Sequence, residues 1–329
     1  MEFNNKVDII IPIYNTSDKM LIRCLGSILN QTIVKDIDIT IIDDASSKDY
    51  TSIITMFNSL LSINYIKLEQ NSGPGIARQK GLDSTYNEFI VFVDSDDTLS
   101  DCLSLYRLRE ILRQNPQAFM ANSPFSVFLT EEESITESRT AMDLDHVFSK
   151  MYRRYFIELN NIHFHPKSRF NEDVGFNVML LGFQTNPDNI VSIQNISYYQ
   201  RYNTNSVTKT KNFLCASAED NVNNFIYAFE HILNNNPENI VYIVRESNKV
   251  LAYLFIDYYL YPEYIEYNLK AAKNFFNNFY INIENKVENT FLFEDFCKLF
   301  QTYADFGLVQ DLQFSMTFSD YIEKLKMKE

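Results

Sequence analysis

The first hundred residues alternate short runs of β-branched apolar side chains with amphipathic stretches whose apolar positions fall three or four apart. Val7 to Ile13 predicts a buried strand, and from Asp18 onward Met20, Leu21, Leu25, Ile28 and Leu29 share one helical face. Ile37 to Ile42 predicts a second strand. A helix from about Lys48 to Leu61 follows, striped by Ile53, Ile54, Phe57, Leu60 and Leu61. Ile63 to Leu68 reads as a strand, Ile76 to Thr85 as a helix, and Phe89 to Val93 as a fourth strand. Strands and helices alternating at this spacing imply βαβ units, and hence an α/β fold with a mostly parallel sheet flanked by helices.

Farther on the pattern loosens. A helix is predicted from Asp101 to Gln114, stopping at Asn115-Pro116. The polar segment from Glu131 to Thr136 lacks periodicity and predicts a mobile loop. Tyr152 to Leu159 and Asp173 to Leu181 read as helices, and Ile190 to Tyr199 as a late strand. From about Asn212 the texture changes to Phe, Tyr, Leu and Asn at helical spacing, with Phe225, Phe229 and Ile232 in one stripe and Val250, Leu251, Leu254 and Phe255 in another. The expected organisation is an α/β domain over residues 1–210 and an α-helical C-terminal domain over 211–329.

Composition supports two cores. The chain has 329 residues, 46% of them hydrophobic and 15% aromatic, which excludes disorder for most of its length. It carries 29 basic and 43 acidic side chains, net −14, so generic nucleic-acid binding lacks its electrostatic driving force. The first residues show no signal-peptide pattern, and the longest apolar stretch, Val250 to Tyr261, is broken by Asp257. That stretch is shorter than the roughly 20 residues a membrane span needs, so a soluble, cytoplasmic protein is expected. Cys24, Cys102, Cys215 and Cys297 have no metal or redox spacing and are expected to be reduced thiols.

In open parallel sheets ligands bind beyond the carboxyl ends of the strands, where helix N-termini and free N–H groups converge. Here the four predicted strands lead into Pro12-Ile13-Tyr14-Asn15, Asp43-Asp44-Ala45-Ser46, Asn71-Ser72-Gly73-Pro74-Gly75 and Asp94-Ser95-Asp96-Asp97. The last puts three carboxylates within four residues, a costly crowd unless a cation neutralises it, and hard oxygens suit Mn²⁺ or Mg²⁺. Capping of the helix after Leu99 is the competing role for those aspartates. Neither the dinucleotide glycine fingerprint nor a Walker loop follows the first strand.

With these strand ends in view, the sequence resembles glycosyltransferase family 2, whose GT-A fold transfers a sugar from a nucleotide-sugar donor. The resemblance rests on Val7-Asp8-Ile9-Ile10-Ile11-Pro12-Ile13-Tyr14-Asn15, Ser27-Ile28-Leu29-Asn30-Gln31-Thr32, Ile42-Asp43-Asp44-Ala45-Ser46, Asn71 to Gly81 and the Asp94 to Asp97 cluster. It continues through Lys150-Met151-Tyr152-Arg153-Arg154, read as a helix start, then Asn171-Glu172-Asp173-Val174, Tyr198-Tyr199-Gln200-Arg201-Tyr202 and Ser206-Val207-Thr208. Ala45 stands where the family often has Gly or Asn, and Gln79 where it usually has Asn.

The resemblance implies that Pro12, Tyr14, Asp43, Asp44, Gly73, Arg78, Asp94 and Ser95 surround the donor. It also implies that Asp96, with Asp94 or Asp97, ligates Mn²⁺ or Mg²⁺, and that Asp173 is the general base of an inverting transfer. Lys150, Arg154 and Arg201 are candidate cations for phosphates or an anionic acceptor, and His146, His163 and His165 are candidates to complete a metal shell. The expected donor is a nucleotide-sugar, with UDP favoured, and the expected acceptor a saccharide of a surface polysaccharide or glycoconjugate. A modified base of viral DNA is an alternative acceptor that the net charge disfavours. A catalytically silent nucleotide-sugar binder is the alternative of another class.

Overall fold

The computed structural model of the chain describes residues 5–130, 132–134, 136–141, 145–204, 211–286, 292–305, 309 and 312–327, with the side chains of 211–217, 293 and 305 left aside. It divides into two compact units, one of Met1–Leu180 with Gln184–Asn205, the other of Leu181–Phe183 with Ser206–Glu329.

The first unit begins with β1 (Val7–Ile13), α1 (Asp18–Leu29), β2 (Ile37–Asp43), α2 (Thr51–Asn58), β3 (Ser62–Lys67), α3 (Pro74–Asp83) and β4 (Phe89–Phe92). It continues with β5 (Thr98–Leu99), α4 (Ser104–Gln114), β6 (Met120–Asn122), β7 (Phe125–Phe128), β8 (Thr136–Arg139), β9 (Lys150–Arg153), α5 (Arg154–Leu159), α6 (Glu172–Leu181), β10 (Ile190–Ser192) and β11 (Tyr198–Gln200). The main sheet has the order β10-β6-β9-β4-β1-β2-β3, and a second has the order β5-β11-β7-β8. In the main sheet β9 alone runs antiparallel to its neighbours β4 and β6. The expected mostly parallel sheet is therefore present.

β1 is buried on both faces, with Val7, Ile9, Ile10 and Ile11 all at 0% exposure, as a central parallel strand covered by helices on either side must be. α1 is capped by Ser17, which accepts from the Met20 N–H at 3.3 Å, and it buries Leu21, Cys24, Leu25 and Ile28. Each fully buried leucine contributes about 1.5–3 kcal/mol. Gln31, just past this helix, donates to the carbonyls of Ser27 and Asp101 and accepts from the Leu105 N–H, so it fastens α1 to the start of α4. Ser27 accepts from the Leu99 N–H at 3.1 Å, holding the chain just after the acidic cluster.

Two sequence expectations are corrected here. Tyr152 to Leu159 is not one helix: residues 150–153 form β9, because the open edges of β4 and β6 need a hydrogen-bonding partner, and the helix starts at Arg154. Ile190 to Tyr199 is not one strand: β10 extends the main sheet beside β6, while β11 joins the second sheet between β5 and β7. Of the predicted loop at Glu131 to Thr136, residues 131 and 135 lie outside the described residues, and Thr136 opens β8.

The second unit contains α7 (Lys211–Asn235), α8 (Ile240–Leu260), α9 (Ile265–Asn278), α10 (Leu292–Asp305) and α11 (Phe318–Lys326). Its stripes pack as expected of a helical core, with Phe229, Ile232, Leu251, Leu254, Phe255 and Phe275 buried. The buried Asp295 carboxylate is held by Arg245 at 2.8 Å and Asn248 at 3.1 Å, which offsets the cost of burying its charge. Among the described residues no helix is long and apolar enough to cross a membrane. Cys24, Cys102 and Cys297 are unbridged, and the Cys215 side chain lies outside the described residues.

Candidate active site

The carboxyl ends of β1, β2 and β4 converge because the three strands are adjacent and parallel. At the end of β2, Asp43 is fully buried: it accepts from the Ser46 N–H at 2.7 Å and from the Tyr65 hydroxyl, with Lys67 Nζ 3.6 Å away. Asp44 accepts from the N–H groups of Ser72 and Gly73 at 2.7 and 2.8 Å, so this carboxylate holds the Asn71–Gly75 turn in place. Gly73 in that turn has φ +94°, a conformation that favours glycine. Ala45 and Asn15 also adopt left-handed φ, +60° and +51°. Asn15 Oδ1 accepts from Ser47 and its N–H donates to Ser46, which joins the loops after β1 and β2. Beyond β1, Tyr14 is 54% exposed beside the half-buried Pro12, leaving an aromatic ring at the sheet's edge.

After β4 the three aspartates do different things. Asp97 turns inward, its oxygens accepting from the Tyr198 hydroxyl at 2.8 Å and the Arg201 N–H at 2.7 Å. Tyr198 also accepts from the Asp94 N–H, so one tyrosine of β11 shapes the acidic turn from both ends. Burial, then the charges of Asp96 and Asp94, push the Asp97 carboxyl well above the usual carboxylate range. Asp96 and Asp94 are only partly buried. Asp96 accepts from Asn203 Nδ2 at 2.7 Å, and its pKa is raised by burial and by Asp94. Asp94 accepts from Arg78 Nη2 at 2.6 Å. Ser95 exchanges a 2.7 Å hydrogen bond with Thr16, tying the turn to the loop after β1.

Arg78, on α3, is the hub. Its guanidinium spans Asp94 after β4 and Glu172 at the start of α6, and it is 5% exposed. Burial works against its charge, but Asp94 and Glu172 more than offset that and raise its pKa. Burial pushes Glu172 up to about 7 although Arg78 pulls it down. α3 and α6 approach so closely that a Cβ on Gly75 would lie 2.8 Å from Glu172 Cγ. Asp173, next along α6, is one fifth exposed, with His146 Nδ1 3.5 Å from its Oδ2. Burial raises the Asp173 carboxyl, but the hydrogen bond and charge of His146 and the charge of Arg78 outweigh it, leaving its pKa below the ordinary value.

Asp94, Asp96, Arg78, Glu172 and Asp173 thus form one continuous polar strip. Several sequence candidates are not part of it. Arg154 lies at the opposite, amino-terminal edge of the sheet, buried against Asp8, Thr85 and the carbonyls of Leu82 and Asn87, so it is a structural ion pair. Lys150 is fully buried, with its ammonium 3.5 Å from the Phe148 carbonyl. Arg201 is near the aspartates, but its guanidinium pairs with Glu133 and stacks over Phe128 and Tyr199. Glu133 also holds Arg23, so this predicted mobile segment clamps two arginines. His163 pairs with the Asn161 carbonyl, and His165 accepts from the N–H groups of Lys167 and Ser168.

Reading the sequence missed the roles of Glu172, Tyr198 and Asn203. Glu172 and Tyr198 lie within the motifs quoted for the resemblance; nothing in the sequence marks Asn203.

As to a metal, among the described residues no three His, Cys, Asp or Glu side chains gather into a complete protein cage. Asp94 and Asp96 nevertheless fit a hard cation: they are carboxylates, partly exposed, and the Asp96 carboxylate accepts from a neutral amide, the Arg23 guanidinium beside it bonding the backbone carbonyl. Two protein carboxylates completed by phosphate oxygens and water are the usual composition of a Mg²⁺ or Mn²⁺ nucleotide site.

Residues 8–170 match the model of the family described as glycosyl transferase family 2. Poly(ribitol-phosphate) beta-N-acetylglucosaminyltransferase TarS of Staphylococcus aureus is 29% identical over 180 residues, 51% of this chain and 31% of that protein. The chain therefore spans about a third of the length of this curated relative. The crystal structure of residues 1–349 of S. aureus TarS in complex with UDP-GlcNAc superposes with a TM-score of 0.67 at 18% identity, covering 91% of this chain and 92% of that one. Mannosyltransferase PcManGT of Pyrobaculum calidifontis, in complex with GDP-Man and Mn²⁺, superposes with a TM-score of 0.51 at 13% identity, over 97% and 85% of the two chains. These likenesses establish the GT-A fold, and with residues 8–170 carrying the family's sequence pattern, the chain belongs to glycosyltransferase family 2.

Proposed function

We propose that the first unit transfers a sugar from a nucleotide-sugar, a UDP-sugar in particular, to a hydroxyl of a surface polysaccharide or glycoconjugate, with Asp173 as general base. The observation that carries this reading is the Arg78 bridge from Asp94 to Glu172, along which lie Asp96, beside Asp94, and the ionised Asp173, beside Glu172. The acceptor class is supported by the poly(ribitol-phosphate) substrate in the name of TarS, and the donor by the UDP-GlcNAc in the crystal structure of that relative.

In this reading Tyr14 and Pro12 meet the base of the donor, while Asp43, Asp44, Gly73 and Ser95 hold the loops that border it. Asp94 and Asp96 hold Mn²⁺ or Mg²⁺, and Asp97 shapes their turn from beneath. Bound there, the ion would supply a Lewis acid toward the diphosphate leaving group. Asp173 takes the proton of the acceptor hydroxyl as its oxygen bonds to the anomeric carbon. The bond from that carbon to the diphosphate breaks, and its electron pair leaves with the phosphate. A single displacement enters from the face opposite the leaving group and inverts the anomeric centre. An ionised carboxylate suits the role because the base must be unprotonated at neutral pH.

Calorimetric titration of UDP into the protein tests the donor site. Binding that requires Mn²⁺ and is lost in Asp96→Ala is expected; binding indifferent to both the ion and the substitution would overturn the assignment of the aspartates. A silent binder would bind UDP but transfer nothing, and the ionised, partly exposed Asp173 favours the enzyme over it.

A further inference from the structure

His146 is gripped by α6 at two points. Its Nδ1 lies 3.5 Å from Asp173 Oδ2, and its backbone carbonyl accepts from Asn177 Nδ2 at 3.0 Å. Asp173 and Asn177 are four residues apart, one helical turn, so both project from one face of α6. Asn177 is 1% exposed and accepts from the Tyr152 hydroxyl at 2.9 Å, which anchors the grip to β9 in the main sheet. The imidazole is oriented independently by rings. It stacks on Phe148 at 4.7 Å and 9°, meets Phe125 edge-on at 5.7 Å, and Phe148 stacks in turn on Tyr198 at 4.6 Å. Tyr198 is the tyrosine that bonds Asp97 and the Asp94 N–H. A packed column therefore connects the acidic turn to the imidazole.

We propose that His146 is a positioning residue for Asp173: its Nδ1–H orients the carboxylate toward the acceptor. This rests on the reading of Asp173 as general base. The groups facing Asp173 are His146 from the segment before β9, Arg78 from α3, Glu172 from its own helix and Tyr152 from β9. Arg78 is already divided between Asp94 and Glu172, while Asp173 takes the Val174 N–H on Oδ1 at 3.0 Å and faces His146 with Oδ2, so the imidazole is the side chain directed at that oxygen. Orientation matters because proton transfer in the transition state needs the carboxylate oxygen within hydrogen-bond reach of the attacking hydroxyl.

The first test needs no substrate. The chain has four histidines, so the imidazole of His146 can be assigned and titrated by NMR in the intact protein and in Asp173→Asn. The His146 pKa is expected to fall by about one pH unit when the facing charge is removed. Titration curves that coincide would overturn the pair, whether or not the protein transfers sugar.

The second test is kinetic, with UDP-GlcNAc as donor and poly(ribitol phosphate) as acceptor. His146→Phe keeps the ring stack and removes Nδ1; kcat is expected to fall roughly tenfold with donor KM unchanged, and the acid limb of the kcat–pH profile to move to higher pH. His146→Asn, whose side-chain N–H stands where Nδ1–H stood, is expected to recover most of the rate. A His146→Phe profile superimposable on the wild type would overturn the proposal. Absence of turnover in the wild type with a normal NMR result would instead count against the donor or acceptor assignment.

Discussion

Arg78 is the residue on which the site's electrostatics turn, since removing it leaves Asp94 and the buried Glu172 without their shared counter-charge. Breaking a buried ion pair costs about 3–5 kcal/mol, so Arg78→Met should lower the urea midpoint by that order, and Arg78→Lys, with one point charge for two partners, should recover only part of it. A variant within about 0.5 kcal/mol of the wild type would show that the guanidinium is not the hub. Ala45 makes a second residue-level case. Its φ of +60° places a Cβ where the left-handed region disfavours one, so Ala45→Gly should stabilise the protein by up to about 1 kcal/mol in chemical denaturation. Ala45 is visible in the sequence as a departure from the family, but its backbone cost is visible only in the fold. His146 is the converse: the sequence offers a histidine with hard-metal neighbours, and only the packing of α6 shows what its Nδ1 faces.

Elements repeat this division. β1, β2 and β4 were readable because each is an apolar run ending in polar residues, β3 alternates apolar with polar positions, and α1 and α2 carry apolar stripes. β5, β6 and β7 are two to four residues long, too short to show a period, and β9 has a helix-like pattern that pairing with β4 and β6 overrides. The glycines of α3 carry information that periodicity does not. A Cβ at Gly81 would lie 2.3 Å from Ile10 Cγ2 in the middle of β1, so Gly81→Ala should destabilise the unit by about 1–3 kcal/mol, read as a lowered midpoint in denaturant. Gly75 instead faces the Glu172 side chain, so Gly75→Ala is expected to reduce transfer more than stability, by shifting the start of α6. Equal losses at both positions would argue that α6 is not positioned by this contact.

For the whole molecule, the net charge of −14 and the crowding of Asp94, Asp96 and Asp97 lead to the prediction that a cation at that turn is a stabilising ligand. Mn²⁺ with UDP at a hundred times the dissociation constant should add about 2.7 kcal/mol and raise Tm, an increment that EDTA and Asp96→Ala both remove. The helical character of the C-terminal region was legible as a change of texture near residue 212, whereas residues 181–183, the last of α6 and the two after it, group with the helices. No pattern in the sequence announced that. The candidate site was legible as far as its strand ends; which aspartate faces outward was not, because that depends on Tyr198 arriving from β11 about a hundred residues later.

The account stands or falls on sugar transfer itself. A panel of UDP-, GDP-, CMP- and dTDP-sugars, with and without Mn²⁺, should give turnover of one donor that needs the ion, disappears in Asp96→Ala and falls by about 10²–10⁴ in Asp173→Asn. Undiminished turnover in Asp173→Asn, or none with any donor in the intact protein, would contradict it.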